Sequence, residues 1–352
     1  MSAQLGKSAS SEASVLTQAS RQLFQRVPPI PAGIDLVGKT VLVTGSNVGL
    51  GLECARHFLA LRPRQLIMAT RSLEKGEAAA AQLRAQFPAA SITVMHLDMA
   101  SVQSVQAFAA QCRREVDGRI DVAVLNAGLA TETFVRVDEG RGRETTLQVN
   151  YLSTALLSIL LLPKMMPSAS SPDPARLSIV TSDASLGAKL KDPGDGKSIL
   201  DSIDRDDTSD GFQRYSESKL LVNMFAAKLA ERVPNQDCVI NFCNPGATKG
   251  TAFTRHIETR LMKVVFGLIL GILGRTPVDA SRIYVHATLV LGGESHGSYT
   301  DWLVRPWPIF MYSNRLGDKL WSETMEELRF ANVDGVLDFT PLSLAFFPAI
   351  YL

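Results

Sequence analysis

Short apolar segments alternate with longer amphipathic segments along most of the chain after Lys39, and this alternation constrains the fold more than any other feature. The segments "TVLVTG" and "QLIMAT" are typical of buried strands, whereas "GLECARHFLALR" and "LEKGEAAAAQLRAQF" have helical spacing. Continuous apolar strands separated by helices indicate a parallel sheet that is covered on both faces. Because crossovers between parallel strands are right-handed, the sequence predicts an α/β fold with a doubly wound sheet.

One such domain is predicted, over residues 34–330, because no linker or repeat interrupts the pattern. Residues 1–33 are predicted as a polar, mobile extension, with a weak amphipathic helix as the alternative, and residues 331–352 as a C-terminal tail. Residues 183–211 are rich in Asp and Gly and lack periodicity, which predicts an inserted surface loop.

Composition excludes several classes of function. The 36 Lys and Arg residues nearly balance the 35 Asp and Glu residues, and no long basic run is present, so nucleic acid is not an expected partner. The four cysteines form no Cys-x-x-Cys pair and the five histidines are scattered, which predicts no metal site. Free cysteines and the lack of a secretory signal favour a reducing, cytoplasmic location.

A strongly apolar stretch, "LMKVVFGLILGIL", covers Leu261 to Leu273. It is shorter than the roughly 20 residues that a membrane-spanning helix needs, so no integral span is expected. The stretch is predicted to be a buried or covering helix, and peripheral attachment to a membrane surface is the alternative.

A glycine-rich turn follows the first predicted strand and opens the first predicted helix. In "TGSNVGLG" the glycines have the spacing Gly45-x-x-x-Gly49-x-Gly51. Glycines at this place allow a tight turn and let backbone N–H groups approach a pyrophosphate at the helix N-terminus. The turn therefore predicts a dinucleotide site, with contacts from Gly45, Ser46, Val48, Gly49, Leu50 and Gly51.

The end of the second strand indicates which dinucleotide binds. An acidic residue here would bind the ribose 2′-hydroxyl of NAD, but "ATRS" offers Arg71 and no carboxylate. Because an arginine suits a 2′-phosphate, NADP(H) is the predicted cofactor. Lys75 either assists Arg71 or belongs to a solvated helix face.

Tyr215 and Lys219, in "RYSESKLL", are four residues apart on a predicted helix and so share one face. A ketone reduced by hydride needs a proton, and a tyrosine with a pKa of about 10 supplies one poorly unless a cation stabilises its anion. The alternative interpretation is that the pair is a solvated tyrosine beside an ordinary surface lysine, with no catalytic role.

Five further motifs occur in order: "LDM", "LNAG", "VNY", "IVTSDAS" and "YSESK". With the glycine turn, they make the chain resemble the short-chain dehydrogenase/reductase family from about Gly38 to Trp302. The resemblance implies a Rossmann-type doubly wound sheet and a C-terminal helical region, residues 251–275, that covers the substrate.

The resemblance also implies roles for single residues. Tyr215 is the expected general acid/base, Lys219 its pKa modulator and Asn150 the anchor of a proton-relay water. Ser182 is expected to bind the substrate oxygen, with Ser185 as the alternative if the register differs. The expected remaining cofactor contacts are Asp98, Asn126, Tyr215, Lys219, Thr248 and Thr251, of which the last two belong to "NPGATKGT".

The implied function is NADP-dependent hydride transfer between the cofactor and a ketone or secondary alcohol. The fungal members of natural-product pathways resemble this chain most, which together with the apolar residues 251–275 suggests a lipophilic small-molecule substrate. The alternatives are a catalytically idle NADP-binding scaffold or redox sensor, and an enzyme held at a membrane surface. Relatives are often dimers or tetramers, so a homo-oligomer is also expected.

Overall fold

A computed structural model describes residues 1–138, 142–168, 172–206, 210–249, 271, 274–312 and 316–338. Its centre is an eight-stranded sheet with the order β3-β2-β1-β4-β5-β6-β7-β8, in which neighbours run parallel except for the antiparallel pair β7–β8. The strands are β1 Thr40–Thr44, β2 Gln65–Thr70, β3 Ile92–His96, β4 Val122–Leu125, β5 Ala175–Val180, β6 Cys238–Cys243, β7 Tyr299–Thr300 and β8 Val304–Arg305. The predicted doubly wound parallel sheet is confirmed.

Helices flank the sheet on both faces and continue beyond it. In the described residues the α-helices are α1 Gly6–Glu12, α2 Val15–Phe24, α3 Gly49–Ala60, α4 Leu73–Gln86, α5 Val102–Glu115, α6 Ser153–Met165, α7 Ile199–Ile203, α8 Gly211–Ala230, α9 Pro277–Val285, α10 Ile309–Tyr312, α11 Leu316–Glu327 and α12 Val333–Asp338. A π-helical turn, Leu147–Leu152, precedes α6, and another, His286–Val290, follows α9.

Each central strand contributes side chains to two hydrophobic cores, one on each face of the sheet. Val41 and Val43 of β1 pack into one core and Leu42 into the other, since successive side chains of a strand point to opposite faces. This is why the strands are apolar without interruption. The order of the strands reverses between β1 and β4, so a crevice opens beyond their carboxyl ends.

Residues 1–33, predicted as a polar extension, form two helices, α1 and α2. Ser2 is fully buried against the edge of the sheet, where its hydroxyl oxygen accepts a bond from the backbone N–H of Tyr299 at 3.0 Å. The helix α2 is the amphipathic helix that the sequence left as an alternative, and it lies against the turn after β6.

The remaining predicted segments also contain helices in their described parts. The inserted segment 183–211 includes a 3-10 turn, Asp183–Ser185, and the short helix α7. The tail contributes α12, whose Val333 is fully buried in the core.

Among the described residues, no helix is long and apolar enough to cross a bilayer, and no cluster of His, Cys, Asp and Glu is arranged to hold a metal ion. The apolar stretch 261–273 lies outside the described residues except for Gly271.

Candidate active site

The glycine turn joins β1 to α3 at the mouth of the crevice. Gly45 and Gly49 both have positive φ, +65° and +60°, a conformation that favours glycine. A Cβ on Gly51 would lie 2.3 Å from the carbonyl oxygen of Gly45, so the turn and the first turn of the helix are in direct contact. A Cβ on Gly49 would meet no atom within 4 Å, and this side of the turn is therefore open.

The same turn fits a dinucleotide phosphate. The hydroxyl of Ser46 is fully buried and has no hydrogen-bond partner among the described residues. Val48 occupies the N-cap of α3 without a side-chain cap, and Leu50 packs on the core beneath. An unpartnered hydroxyl beside an uncapped helix N-terminus suits the phosphate oxygens of a bound nucleotide.

Arg71 lies at the carboxyl end of β2, next to the glycine turn. Its side chain and that of Lys75 are exposed, and neither has an ion pair or hydrogen bond within the described part of the chain. Thr70 before them is buried against Gly76, where a Cβ would lie 2.5 Å from Thr70 Oγ1. Two cationic side chains without partners at this position are suited to bind the 2′-phosphate of NADP.

Asp98 and Asn126 follow the third and fourth strands. Asp98 is half-buried, and its Oδ1 accepts a bond from the backbone N–H of Ala100 at 2.9 Å. The Asn126 amide donates to the carbonyl of Thr44 at 3.0 Å, and its Oδ1 accepts from the Tyr284 hydroxyl at 3.1 Å. The Asn126 side chain therefore ties β4 to β1 at the floor of the crevice.

Lys219 lies one turn after Tyr215 on α8, inside the same crevice. Its ammonium is 5.8 Å from the centroid of the Tyr215 ring and donates to the carbonyl of Val180 at 2.9 Å. Burial lowers the pKa of Lys219 from 10.5 to about 8. The amine can thus gain or lose a proton near neutral pH.

Tyr215 shares a side-chain hydrogen bond with Ser182. Burial raises the pKa of Tyr215, the bond with Ser182 opposes that shift, and the nearby carboxylate of Asp183 adds to it. The phenol therefore holds its proton at neutral pH, and Ser182 is the neighbour that makes it more acidic in this structure.

Asn150 lies in the π-helical turn before α6, a local distortion that is frequent at functional sites. Its Oδ1 accepts from the backbone N–H of Leu129 at 2.8 Å, and its amide donates to the Ser218 hydroxyl at 3.0 Å. A Cβ on Gly128 would lie 3.1 Å from Asn150 Oδ1 and 3.3 Å from Lys219 Nζ. Because Gly128 has no side chain, the Asn150 oxygen and the Lys219 ammonium can both lie against it.

The two candidate serines have different surroundings. Ser182 follows β5 and is half-buried, with its hydroxyl at Tyr215. Ser185 is fully buried, donates to the carbonyl of Ser182 at 2.6 Å and accepts from the Asn223 amide at 2.8 Å. The geometry favours Ser182 because its hydroxyl, although it accepts from the backbone N–H of Ala184 at 3.2 Å, lies at Tyr215. The Ser185 hydroxyl instead bonds to Ser182 and Asn223.

The Pro-Gly turn, residues 244–249, follows β6 on the other side of the site. Thr248 is buried, and its hydroxyl donates to the carbonyl of Gly246 at 3.1 Å. Thr251, the other predicted contact in this motif, lies outside the described residues.

Three residues near the site were not singled out from the sequence. Asn244 Oδ1 accepts from the backbone N–H groups of Asp183 and Gly246, at 3.2 and 3.0 Å. The carboxylate of Asp183 accepts from the Tyr299 hydroxyl at 2.9 Å. Asn244 belongs to the motif "NPGATKGT" and Asp183 directly follows Ser182, so both could have been found from the sequence. Tyr299 is 116 residues away from Asp183, and no local pattern indicates their contact.

Comparison with known proteins identifies the family of the chain. A family model described as short chain dehydrogenase matches residues 39–188. The short chain dehydrogenase virL of Hypocrea virens is 44% identical, over 96% of this chain and 98% of virL. The short chain dehydrogenase opdN of Penicillium oxalicum is 42% identical, over 85% of this chain and 97% of opdN.

Solved structures show the same fold. The RhlG/NADP active-site complex of Pseudomonas aeruginosa aligns with 79% of this chain and 98% of its own, with a TM-score of 0.56 and 21% identity. The similarity to fungal proteins expected from the motifs is confirmed by virL and opdN. The chain therefore belongs to the short-chain dehydrogenase family of oxidoreductases.

Proposed function

We propose that the protein is an NADP(H)-dependent oxidoreductase that interconverts a ketone and a secondary alcohol on a lipophilic small molecule. The observation that carries the proposal is the meeting of Ser182, Tyr215 and Lys219 beside the glycine turn. Asn150 borders the same space. A buried lysine and tyrosine with shifted pKa values, in a crevice suited to a dinucleotide, form a functional site with a physical rationale.

The nicotinamide cofactor, when bound, supplies or accepts the hydride, and the protein supplies position and protons. The hydroxyls of Ser182 and Tyr215 bond to each other and together are suited to hold a substrate oxygen. Tyr215 then donates its proton to the oxygen on which negative charge develops. Because its pKa is raised, Tyr215 is protonated at neutral pH, and the site is prepared for reduction.

Lys219 and Asn150 serve to restore the proton on Tyr215. With a pKa of about 8, Lys219 can take up a proton from solvent and release it near neutral pH. The side-chain oxygen of Asn150 is fixed by its bond from Leu129, and it and the lysine ammonium both border Gly128. These two residues are thus positioned as the inner end of a proton relay.

A preference for NADP(H) is supported by the exposed, unpaired side chains of Arg71 and Lys75 at the end of β2. A guanidinium beside the ribose position offers two parallel donors to a phosphate, which NADP has and NAD lacks. The similar Pseudomonas aeruginosa protein was solved as an NADP complex.

A lipophilic substrate from a natural-product pathway is supported by two features. The stretch 261–273 is strongly apolar, and the chain is similar to the fungal dehydrogenases virL and opdN. We further propose a cytoplasmic enzyme that forms homo-oligomers.

The test is substitution of Tyr215. Tyr215→Phe should abolish ketone-dependent NADPH oxidation, because the proton donor is lost, while NADPH binding measured by fluorescence stays within about threefold of the wild type. Ser216→Ala, on the next position of the same helix, is the matched control and should stay active. A fully active Tyr215→Phe enzyme would refute the mechanism. A wild-type protein that binds NADPH but oxidises it with no ketone of a broad panel would favour the idle scaffold.

A further inference from the structure

We infer that the N-terminal helix α2 is a positioning element of the active site, and that Gln22 holds the Pro-Gly turn in place. The inference rests on the proposed function and on what the family resemblance implies for this turn, a contact of Thr248 with the nicotinamide. It also assigns a role to a segment that the sequence indicated only as a polar extension.

Gln22 makes two bonds to the elements that flank the turn. Its amide N–H donates to the carbonyl of Ala247 at 2.7 Å, and its Oε1 accepts from Arg275 Nη1 at 2.9 Å. One side chain therefore uses both of its polar atoms to connect α2 with residues more than 220 positions away. A helix that merely covered the surface would not need both bonds.

Arg275 extends this connection under the turn. Its guanidinium donates to the carbonyl of Pro245 at 3.4 Å and lies 5.2 Å from the Trp302 ring centroid. Gly246 has φ +73°, and a Cβ there would lie 2.3 Å from Arg275 Nη1. The arginine thus packs directly on the Pro-Gly turn. Gln22 holds its guanidinium from α2, together with the backbone carbonyls of Arg21 and Gln25 at 3.4 and 3.5 Å.

The other side of the same turn reaches the catalytic centre. Asn244 Oδ1 accepts from the backbone N–H of Gly246 and from that of Asp183, the residue after Ser182. A shift of the turn would therefore move both the nicotinamide contact and the serine that holds the substrate oxygen. Hydride transfer depends steeply on such positions, and a misplacement of about 1 Å can cost 100-fold.

The experiment compares Gln22→Met with Gln18→Met. Both residues lie on α2, but the Gln18 amide donates to Ala13 within the extension itself and does not reach the turn. Gln22→Met should raise the Kd and KM for NADPH about tenfold, the loss expected for two hydrogen bonds of about 0.7 kcal/mol each. It should also raise the kinetic isotope effect with 4-deuterated NADPH, because a misplaced hydride donor makes the chemical step slower.

Gln22→Glu separates the two bonds, since a carboxylate still accepts from Arg275 but cannot donate to Ala247. It should give an intermediate Kd. If Gln22→Met matches Gln18→Met within twofold, or lowers only the melting temperature, the inference is wrong. If the wild type reduces no ketone, the proposed function fails instead, and the Kd values for NADPH still decide the role of Gln22.

Discussion

At the scale of single residues, the site depends on the balance of charge around one phenol. Burial and Asp183 raise the pKa of Tyr215, whereas the bond with Ser182 opposes them. The i, i+4 spacing of Tyr215 and Lys219 predicted their common helix face, because that information is local. The choice of Ser182 over Ser185 needed the structure, because it depends on which hydroxyl the fold brings to Tyr215.

Removing the Lys219 charge should stabilise the protein. The folded pKa is about 8 and the ordinary value is 10.5, so between these values the unfolded chain binds a proton that the folded chain does not. The free energy of unfolding therefore rises with pH between these two pKa values. Below the lower value, the folded protein bears the full cost of burying the charged amine.

Lys219→Met should accordingly unfold with a free energy about 2 kcal/mol higher than the wild type at pH 7, after about 1 kcal/mol is allowed for the lost bond to Val180. The advantage should shrink toward pH 10.5, and turnover should be lost at every pH. Urea unfolding without nucleotide at pH 7 and pH 10 measures this, with the exposed Lys75→Met as control. An advantage that does not depend on pH would contradict the explanation.

Substitution of Arg71 tests the nucleotide preference. Arg71→Ala should raise the KM for NADPH roughly 10- to 100-fold, the cost of a charged hydrogen bond of about 1.5–3 kcal/mol, and leave the KM for NADH unchanged. Lys75→Ala, measured in parallel, shows whether the second cation assists or belongs to a solvated face. Equal weakening for both nucleotides would mean that Arg71 does not recognise the 2′-phosphate.

At the scale of elements, the contact between the glycine turn and α3 shapes the nucleotide site. The glycine spacing predicted a tight turn, but not which glycine has room for a side chain. Gly51 faces the Gly45 carbonyl at a distance that excludes a Cβ, whereas Gly49 faces open space and is limited only by its positive φ.

Gly51→Ala should therefore lose NADPH binding and lower the melting temperature much more than Gly49→Ala. The cost for Gly49→Ala should be about 1–2 kcal/mol, the penalty of a left-handed conformation. Calorimetric titration with NADPH and thermal unfolding of both variants provide the measurements. Similar losses in the two variants would show that backbone conformation, and not the helix contact, limits the turn.

At the scale of the whole molecule, a buried arginine links segments that flank the core. Arg143 pairs with Asp201 at 2.6 Å and Asp204 at 3.2 Å in the inserted segment, and with Glu327 of α11 at 2.9 Å. The side chain of Asp204 is itself buried, and that of Glu327 is 9% exposed. The Arg143 guanidinium thus helps to hold the insertion against the C-terminal helix, together with the Glu323 carboxylate, which accepts bonds from Ser198, Ile199 and Leu200.

Arg143→Met should lower the free energy of unfolding by about 3–5 kcal/mol, because it removes a buried cation that pairs with both Asp204 and Glu327. Arg136→Met, which removes a half-exposed partner of Asp204, should cost about 1 kcal/mol or less. Urea unfolding of the two variants tests the difference. Equal losses of stability in the two variants would mean that burial of these ion pairs does not determine how much they contribute to the free energy of unfolding.

The sequence by itself determined the strands β1 to β7 and the longer helices between them, the glycine turn and the Tyr215–Lys219 pair. Each of these depends on periodicity or spacing over a few residues, and the physics that decides them is local. The short helices α1, α7, α10 and α12 were not predicted. The antiparallel β8 was not predicted, because a strand of two residues carries no pattern.

Only the tertiary structure decided which serine meets Tyr215, how Asn244 connects two loops and where α2 lies. The bond from Gln22 to Ala247 joins residues 225 positions apart, and no local signal encodes it. Such contacts form because buried polar groups need partners, and the partner is set by which surfaces the packed sheet brings together.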